Sequence, residues 1–319
     1  MGRYIIRRLL WVVVLMFFIS LLVFVIFYVL PSGDPAALRA GRNSTPASIA
    51  AIRHQLGLDD PLPQQYWRYM KGLVLHFDLG HSFTNDADVK SLLFDRIPNT
   101  LFLVIGAALL WLAAGIGIGM LSAVKRGSAA DRIAMGGALV AISAPVYWLG
   151  LLSLFLFSND LGKIHLLPGS GSYQDANGFF AKIPTMILPW IILAAAFTAI
   201  YARLMRGNMI EVLSEDYIRT ARAKGLPERK VIVRHAARSA MTPVVTVFGI
   251  DVGVLMGGAI LTETVFNIPG VGRMSYEAIN RHDLPTIQGT TLFLALGVCM
   301  ASLIVDILYA FLDPRVRYD

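Results

Sequence analysis

The chain has 319 residues, of which 56% are hydrophobic and only 15% are charged, and its mean hydropathy is +0.62. This composition excludes an ordinary soluble protein of the same length, which needs far more charge on its surface. The net charge of +7 follows from the distribution of Lys and Arg described below and does not require a nucleic-acid partner.

Six apolar stretches follow one another along the chain, each close to the ~18–20 residues that a helix needs to cross a ~30 Å hydrocarbon core. They cover residues 9–30, 101–124, 133–157, 184–201, 244–261 and 289–312. The first is too long for the ~7–15-residue apolar region of a cleaved secretory signal, so we expect an uncleaved anchor. Pro145 and Pro189 are expected to kink or break the third and fourth helices.

The loops differ in their content of Lys and Arg. Basic residues are abundant before the first stretch and after the second and fourth, and the connection after the fourth holds nine between Arg203 and Arg238. The short loops after the third and fifth stretches, on the opposite side of the membrane, hold two basic residues each. Because basic loops stay on the cytoplasmic side, we predict an all-α integral membrane protein with six transmembrane helices and both termini in the cytoplasm.

Residues 31–98 form an external segment between helices 1 and 2 in this topology. Thr45 and Pro46 are a helix start signal, a hydroxyl N-cap followed by Pro. A second amphipathic stretch, rich in aromatic residues, runs from Gln64 to Leu75. The segment is either a small cap lying on the membrane surface or a docking platform for an external partner, and the sequence leaves both alternatives open.

The fifth stretch carries Gly249, Gly253 and Gly257 at every fourth position, a spacing that we assign to close helix packing. It is interrupted by Asp251, and a carboxylate inside a span costs at least ~2.5–3.5 kcal/mol on insertion scales. Asp251 should therefore face the bundle or a water-filled cavity, where it either lines a translocation path or serves as a structural acid at a helix interface.

Two further residues are candidates for the same path. Met256 fits it because a thioether side chain adapts its shape to varied neighbours, although Met is also ordinary core filler. Glu263, near the outer end of the stretch, belongs either to an external gate or to a solvent-exposed surface.

The connection of residues 205–242 is polar, structured and of mixed charge. Gly225 is expected to stop one helix and Pro227 to begin another, which predicts two short helices along the cytoplasmic face. A loop that only touches anionic lipid would need just a few basic residues. Nearly forty residues of this kind indicate a protein-docking element.

The segment "RTARAKG" (219–225) resembles the EAA loop of ABC importer permeases in its dipeptide and oligopeptide (Dpp/Opp) form. Arg219 stands where the name-giving Glu would be, and Thr220 replaces the first Ala. Three more segments resemble the family's external segment, fifth-to-sixth connection and C-terminal end: "DPLPQQYWRYMKGLVLHFDLGHSF" (60–83), "TETVFNIPGVGRMSYEAINRHDLPTIQG" (262–289) and "DILYAFLDPRVRYD" (306–319). The external segment after the first span points to the B-type permease.

The resemblance implies a subunit of a prokaryotic inner or plasma membrane importer for di- or oligopeptides or a related small solute; relatives also carry nickel complexes, glutathione or sugars. It implies a heterodimer with a C-type permease, two ABC ATPase domains, and an external substrate-binding protein. It also implies a coupling helix that docks the ATPase, through Glu211, Asp216, Tyr217, Arg219, Thr220, Ala221, Arg222, Ala223, Lys224 and Gly225.

We expect this chain to catalyse no chemical reaction. It has no G-x-x-x-x-G-K-[ST] phosphate loop and no paired His or Cys at metal-ligand spacing. We therefore expect no catalytic residue, no metal and no cofactor here, with ATP and Mg bound by the partner ATPases. A secondary transporter would carry more ionisable residues in its spans, and a membrane enzyme would need a catalytic constellation.

The predicted organisation has four parts. Residues 1–30 are an N-terminal anchor helix and residues 31–98 the external segment. Residues 99–312 form a five-helix permease core that contains the 205–242 coupling loop, and residues 313–319 are a cytoplasmic tail.

Overall fold

The computed structural model describes residues 2–30, 34–41, 44–160 and 162–312, and it leaves out the side chains of residues 2–4, 256–258, 305, 306 and 308–312. The described residues form helices, with two isolated bridges and no strand. The helices are α1 (Gly2–Phe24), α2 (Pro35–Ala40), α3 (Pro46–Gln55), α4 (Leu62–Lys71), α5 (Val89–Val124), α6 (Ala129–Ser143), α7 (Val146–Phe157), α8 (Ser172–Asp175), α9 (Phe179–Leu213), α10 (Asp216–Ala223), α11 (Glu228–Lys230), α12 (Ala237–Gly258), α13 (Ile260–Val265), α14 (Val271–Arg281) and α15 (Leu284–Leu312). Short π-helical segments extend α1, α4 and α11: Val25–Val29, Gly72–His76 and Val231–Ala236.

Long apolar helices make this chain an all-α integral membrane protein. Five are long and apolar enough to cross a bilayer: Ile5–Val29, Val89–Val124, Phe179–Leu213, Glu228–Leu255 and Leu284–Ile304. A sixth span exists if α6 and α7, which meet at a bend of 104°, count as one. The predicted helical class is confirmed, while the number of six spans and the cytoplasmic termini remain predictions.

The two prolines behave differently. Ala144 and Pro145 have extended backbone angles, and Pro145 is the N-cap of α7, so the predicted break at Pro145 is confirmed. Pro189 is buried inside α9, which continues from Phe179 to Leu213 without a break. Helix α9 packs against α6, α7 and α12, and such neighbours let a membrane helix retain an internal proline.

The described residues within 101–268 and 304–312 form one compact unit. Its core contains Trp111, Tyr201 and Met205, which are completely buried. Helix α5 approaches α9 closely at Gly119, where an added Cβ would lie 2.6 Å from the carbonyl oxygen of Ala202. A side chain at Gly119 would therefore push the two helices apart.

Residues 1–100 and 269–303 form the other unit. Helix α3 begins at Pro46, and the Thr45 hydroxyl accepts a hydrogen bond from the Ser48 amide at 3.3 Å, which confirms the predicted start signal. Asp283 is buried and accepts hydrogen bonds from Ser82, from the Phe83 amide and from Thr286. The loop before α5 is thereby fixed to the first turn of α15.

The 205–242 connection differs from its prediction. Residues 205–213 belong to α9, because buried Met205 and Met209 continue the core-facing stripe of that helix. The second predicted helix starts at Glu228, with Pro227 as N-cap, and runs on into α12 as part of one long helix. Only α10 is a separate short helix between the two long ones.

Candidate functional site

Helix α10 has one buried side and one exposed side. Ile218 is 0% exposed and Ala221 is buried, and both belong to the same hydrophobic cluster as Met209 at the end of α9. The remaining side chains from the helix are exposed: Asp216, Tyr217, Arg219, Thr220, Arg222 and Ala223. The apolar side holds the helix to its unit, and the polar side is available to a partner.

The C-terminus of α10 is a Schellman motif, in which a left-handed residue lets two amides return to the last turn. Gly225 has φ +72°, and its amide donates to the Arg222 carbonyl at 2.9 Å. The Leu226 amide donates to the Ala221 carbonyl at 3.4 Å. The predicted helix stop at Gly225 is confirmed.

Side chains fix how α10 joins the rest of the unit. Arg222 makes a bidentate ion pair with Glu228, with Nη2 to Oε1 at 2.7 Å and Nε to Oε2 at 3.1 Å, and hydrogen bonding to this carboxylate raises the pKa of Arg222. The Tyr217 hydroxyl donates to Ser239 at 3.0 Å. The contact of Arg219 with Asp216 is longer, 3.4 Å, and largely exposed.

The exposed charges of this loop are therefore of two kinds. Arg222 is used within the chain, whereas Arg219 and Lys224 present their cations outward. Glu211 is exposed on the last turn of α9, close in sequence to α10. The structure brings the predicted residues 216–225 together on one short element, with Glu211 on the preceding helix.

A buried ion pair beside this loop was not found by sequence reasoning. Asp131, only 4% exposed, accepts from Arg206 Nε at 2.7 Å and Nη2 at 2.8 Å, from the Gly127 amide at 2.9 Å and from Ser122. It joins the end of α5 and the start of α6 to α9. Ser128 is the one local sequence feature that indicates this site, because it is the N-cap of α6 and its hydroxyl accepts a hydrogen bond from the Asp131 amide.

Asp251 lies at a helix interface. It is half-buried on α12, and its Oδ2 accepts a hydrogen bond from the Tyr201 hydroxyl of α9 at 2.8 Å. The rings of Trp111 and Phe248 lie next to Tyr201, with centroids 6.2 Å and 6.5 Å from the centroid of its ring. A carboxylate with such a partner has the geometry of a structural acid, and its partial exposure leaves the path role as a prediction.

The other path and packing candidates are less informative. Glu263 is 0% exposed in α13, so the solvent-facing alternative is wrong for this residue, because the helix turns its side chain into the protein. Gly249 and Gly253 are buried on α12, and their packing role remains a prediction. Met256 and Gly257 lie outside the residues whose side chains are described. Among the described residues, no group of His, Cys, Asp and Glu could hold a metal ion.

Two family descriptions match the chain. Residues 115–318 match the binding-protein-dependent transport system inner membrane component, and residues 1–104 match the N-terminal part of such membrane components. The dipeptide transport system permease protein DppB of Escherichia coli strain K12 is 41% identical over 340 aligned positions, covering 100% of this chain and 99% of the relative. The glutathione transport system permease protein GsiC of Salmonella typhimurium is 40% identical over 318 positions, covering both chains completely.

Proposed function

The chain belongs to the binding-protein-dependent transport system inner membrane components, as a Dpp/Opp-type permease of an ABC importer, and on this premise we propose that it carries short peptides across the cell membrane. It is a multi-pass transport subunit and not an enzyme. The names of the two relatives support the cargo class, because one refers to dipeptides and the other to glutathione, a tripeptide.

The partners and the energy source belong to this proposal. The chain forms a heterodimer with a C-type permease, the complex carries two ABC ATPase domains at its cytoplasmic face, and an external substrate-binding protein delivers the cargo. ATP and Mg are bound by the ATPases. The proposed organisation is the predicted one: an anchor (1–30), an external segment (31–98), a permease core (99–312) and a cytoplasmic tail, of which residues 313–319 lie outside the described part.

Helix α10 is the proposed docking element for the ATPase, and the observation that carries this is its two-sided character. The buried Ile218 anchors it, and Arg219 and Lys224 present cations that complement an acidic groove. ATP can drive transport only if docking at α10 differs in free energy between the inward- and outward-facing states of the permease.

Movement of α10 would reach the membrane through its two neighbours. Ile218 shares a cluster with Met209 of α9, and Tyr217 is hydrogen-bonded to Ser239 at the start of α12. These same two long helices carry the hydrogen-bonded pair Tyr201 and Asp251. We place Asp251, with Met256 and Glu263, on the translocation path that α9 and α12 open and close.

The test is purification of the chain with its native partners, followed by peptide-stimulated ATP hydrolysis in reconstituted membranes. Arg219→Glu combined with Lys224→Glu, which reverses the two outward cations and leaves the Arg222–Glu228 pair in place, should detach the ATPase or uncouple hydrolysis from transport. Arg126→Glu, in another basic loop, is the matched control and should leave both intact. Transport that persists under an ion gradient with α10 reversed in charge would overturn the proposed coupling.

A further inference from the structure

A cavity of about 240 Å³ lies within the unit of residues 1–100 and 269–303. Its walls come from the end of the first membrane helix, α2, α4, the loop at 78–83 and the first turn of α15. None of its lining residues belongs to α10 or to the Asp251 region. Aromatic and aliphatic side chains such as Phe24 and Leu56 form part of the wall.

Two buried polar groups on this wall have no hydrogen-bond partner within the described part of the chain: the Tyr69 hydroxyl and Gln288 Nε2. Gln288 is 4% exposed, and its amide interacts with the Tyr28 hydroxyl on the same wall, but no hydrogen bond of ordinary geometry satisfies its Nε2. Burial raises the pKa of Tyr69, so its hydroxyl stays protonated and can donate. Buried polar groups in folded proteins almost always have a protein, water or ligand partner.

Two opposite charges, both exposed to solvent, also line this cavity and are free to pair with a ligand. Arg39 lies over the Phe83 ring, 5.7 Å from its centroid, and makes no ion pair among the described residues. Asp78 accepts a hydrogen bond from the Gly80 amide at 2.8 Å and, over the same residues, likewise makes no ion pair. The guanidinium and the carboxylate line one cavity without pairing with each other.

Arg68 is a third charged residue on the cavity and, unlike Arg39 and Asp78, it is paired within the chain. Its partner is Asp60, and it fills the space over Gly57, where an added Cβ would clash with its guanidinium. Gln65 stabilises the turn of residues 57–60, because its side-chain amide donates hydrogen bonds to the carbonyls of Leu58 and Asp60. Arg68 is therefore already paired within the chain, whereas Arg39 and Asp78 make no ion pair among the described residues.

We propose that this cavity binds a small zwitterion, an amino acid or short peptide, with its carboxylate at Arg39 and its ammonium at Asp78. The buried Tyr69 and Gln288 donors would contact the ligand's acceptor oxygens. Ligand cavities in proteins usually measure ~300–1,000 Å³, and this one, at about 240 Å³, is smaller and suits only a small ligand. The proposed function enters only in the choice of a peptide as the probe.

The test is calorimetric titration of the purified full-length chain in nanodiscs of phosphatidylcholine and phosphatidylglycerol with the dipeptide Ala-Ala. We expect saturable binding that Arg39→Gln and Asp78→Asn each weaken at least tenfold. Both side chains are exposed, so these variants should fold. Lys71→Gln removes an exposed cation of α4 that does not line the cavity and should bind as the parent does.

Chemical variants of the probe test each end of the ligand. Ala-Ala amide should lose the contribution of Arg39, and N-acetyl-Ala-Ala that of Asp78. Absence of saturable binding, or equal binding by all three peptides, would overturn the proposal. Phosphatidylethanolamine carries the same pair of charges. If native mass spectrometry finds this lipid bound to the parent chain and lost from the Arg39→Gln variant, the ligand is a lipid and the peptide assignment is wrong. No ATPase is needed here, so failure of this test with intact ATP-driven transport would leave the proposed function standing.

Discussion

Replacing Ile218 by alanine should release α10 from its unit without unfolding the long helices. The helix has eight residues, fewer than the ~12–15 that an isolated helix needs for marginal stability in water. Its order therefore depends on burying Ile218, which is 0% exposed, together with Ala221.

The size of the effect follows from the atoms removed. The change deletes three carbons at ~0.8 kcal/mol each, or roughly 2.4 kcal/mol, and a residual cavity raises the usual cost to ~2–5 kcal/mol. At ~1.4 kcal/mol per factor of ten, local opening of α10 should become ~50-fold more frequent or more.

Hydrogen exchange of the amides in α10 measures this opening directly. We expect faster exchange at residues 218–223 in Ile218→Ala and a smaller increase in Ile218→Val, since deletion of one methylene costs ~0.5–1.5 kcal/mol. Arg219→Gln, which removes only an exposed contact of 3.4 Å, is the control. Unchanged exchange in Ile218→Ala, or equal acceleration throughout α9, would refute the reasoning.

Three further predictions rest on local geometry. Gly119→Ala should lower the Tm of the purified chain in detergent, because its Cβ would meet the α9 backbone and overpacking costs ~1–3 kcal/mol. Gly117→Ala is the control and should leave the Tm unchanged, since the space around Gly117 is open. Equal effects of the two changes would contradict the close approach of α5 and α9. Gly225→Ala should lower the free energy that protects the α10 amides from hydrogen exchange by ~1–2 kcal/mol, because alanine is strained at φ +72°. Unchanged exchange would contradict the Schellman motif. The effects of Tyr201→Phe and Asp251→Asn on the free energy of unfolding should be non-additive by at least ~0.5 kcal/mol. Strict additivity would argue against their 2.8 Å hydrogen bond.

Local signals in the sequence were reliable where one residue type dictates the backbone. The hydroxyl of Thr45 caps α3, Pro145 breaks the helix pair α6 and α7, and Gly225 adopts the left-handed angle that ends α10. The spans themselves follow from apolar length. Each of these features is decided within a few residues of the chain.

Features that depend on distant neighbours were missed. The helix continues through Pro189 because other helices pack around it, and residues 205–213 extend α9 because Met209 is buried by other elements. Asp131 and Arg206 are 75 positions apart in the chain, so no local pattern pairs them. The burial of Glu263 likewise results from tertiary packing.

Helix α9 has a mechanical consequence. Its 35 residues give a rod of about 52 Å at ~1.5 Å per residue, against a hydrocarbon core of ~30 Å, so roughly 20 Å of it extends beyond the core. Tyr201 lies 12 residues, or about 18 Å, from the end at Leu213. A tilt of about 5° about the far end would displace Leu213 by roughly 4–5 Å and Tyr201 by roughly 2–3 Å, from the same rise per residue. Under the proposed docking at α10, this continuous helix would convert a sideways push at Leu213 into a smaller shift at Tyr201 and its partner Asp251.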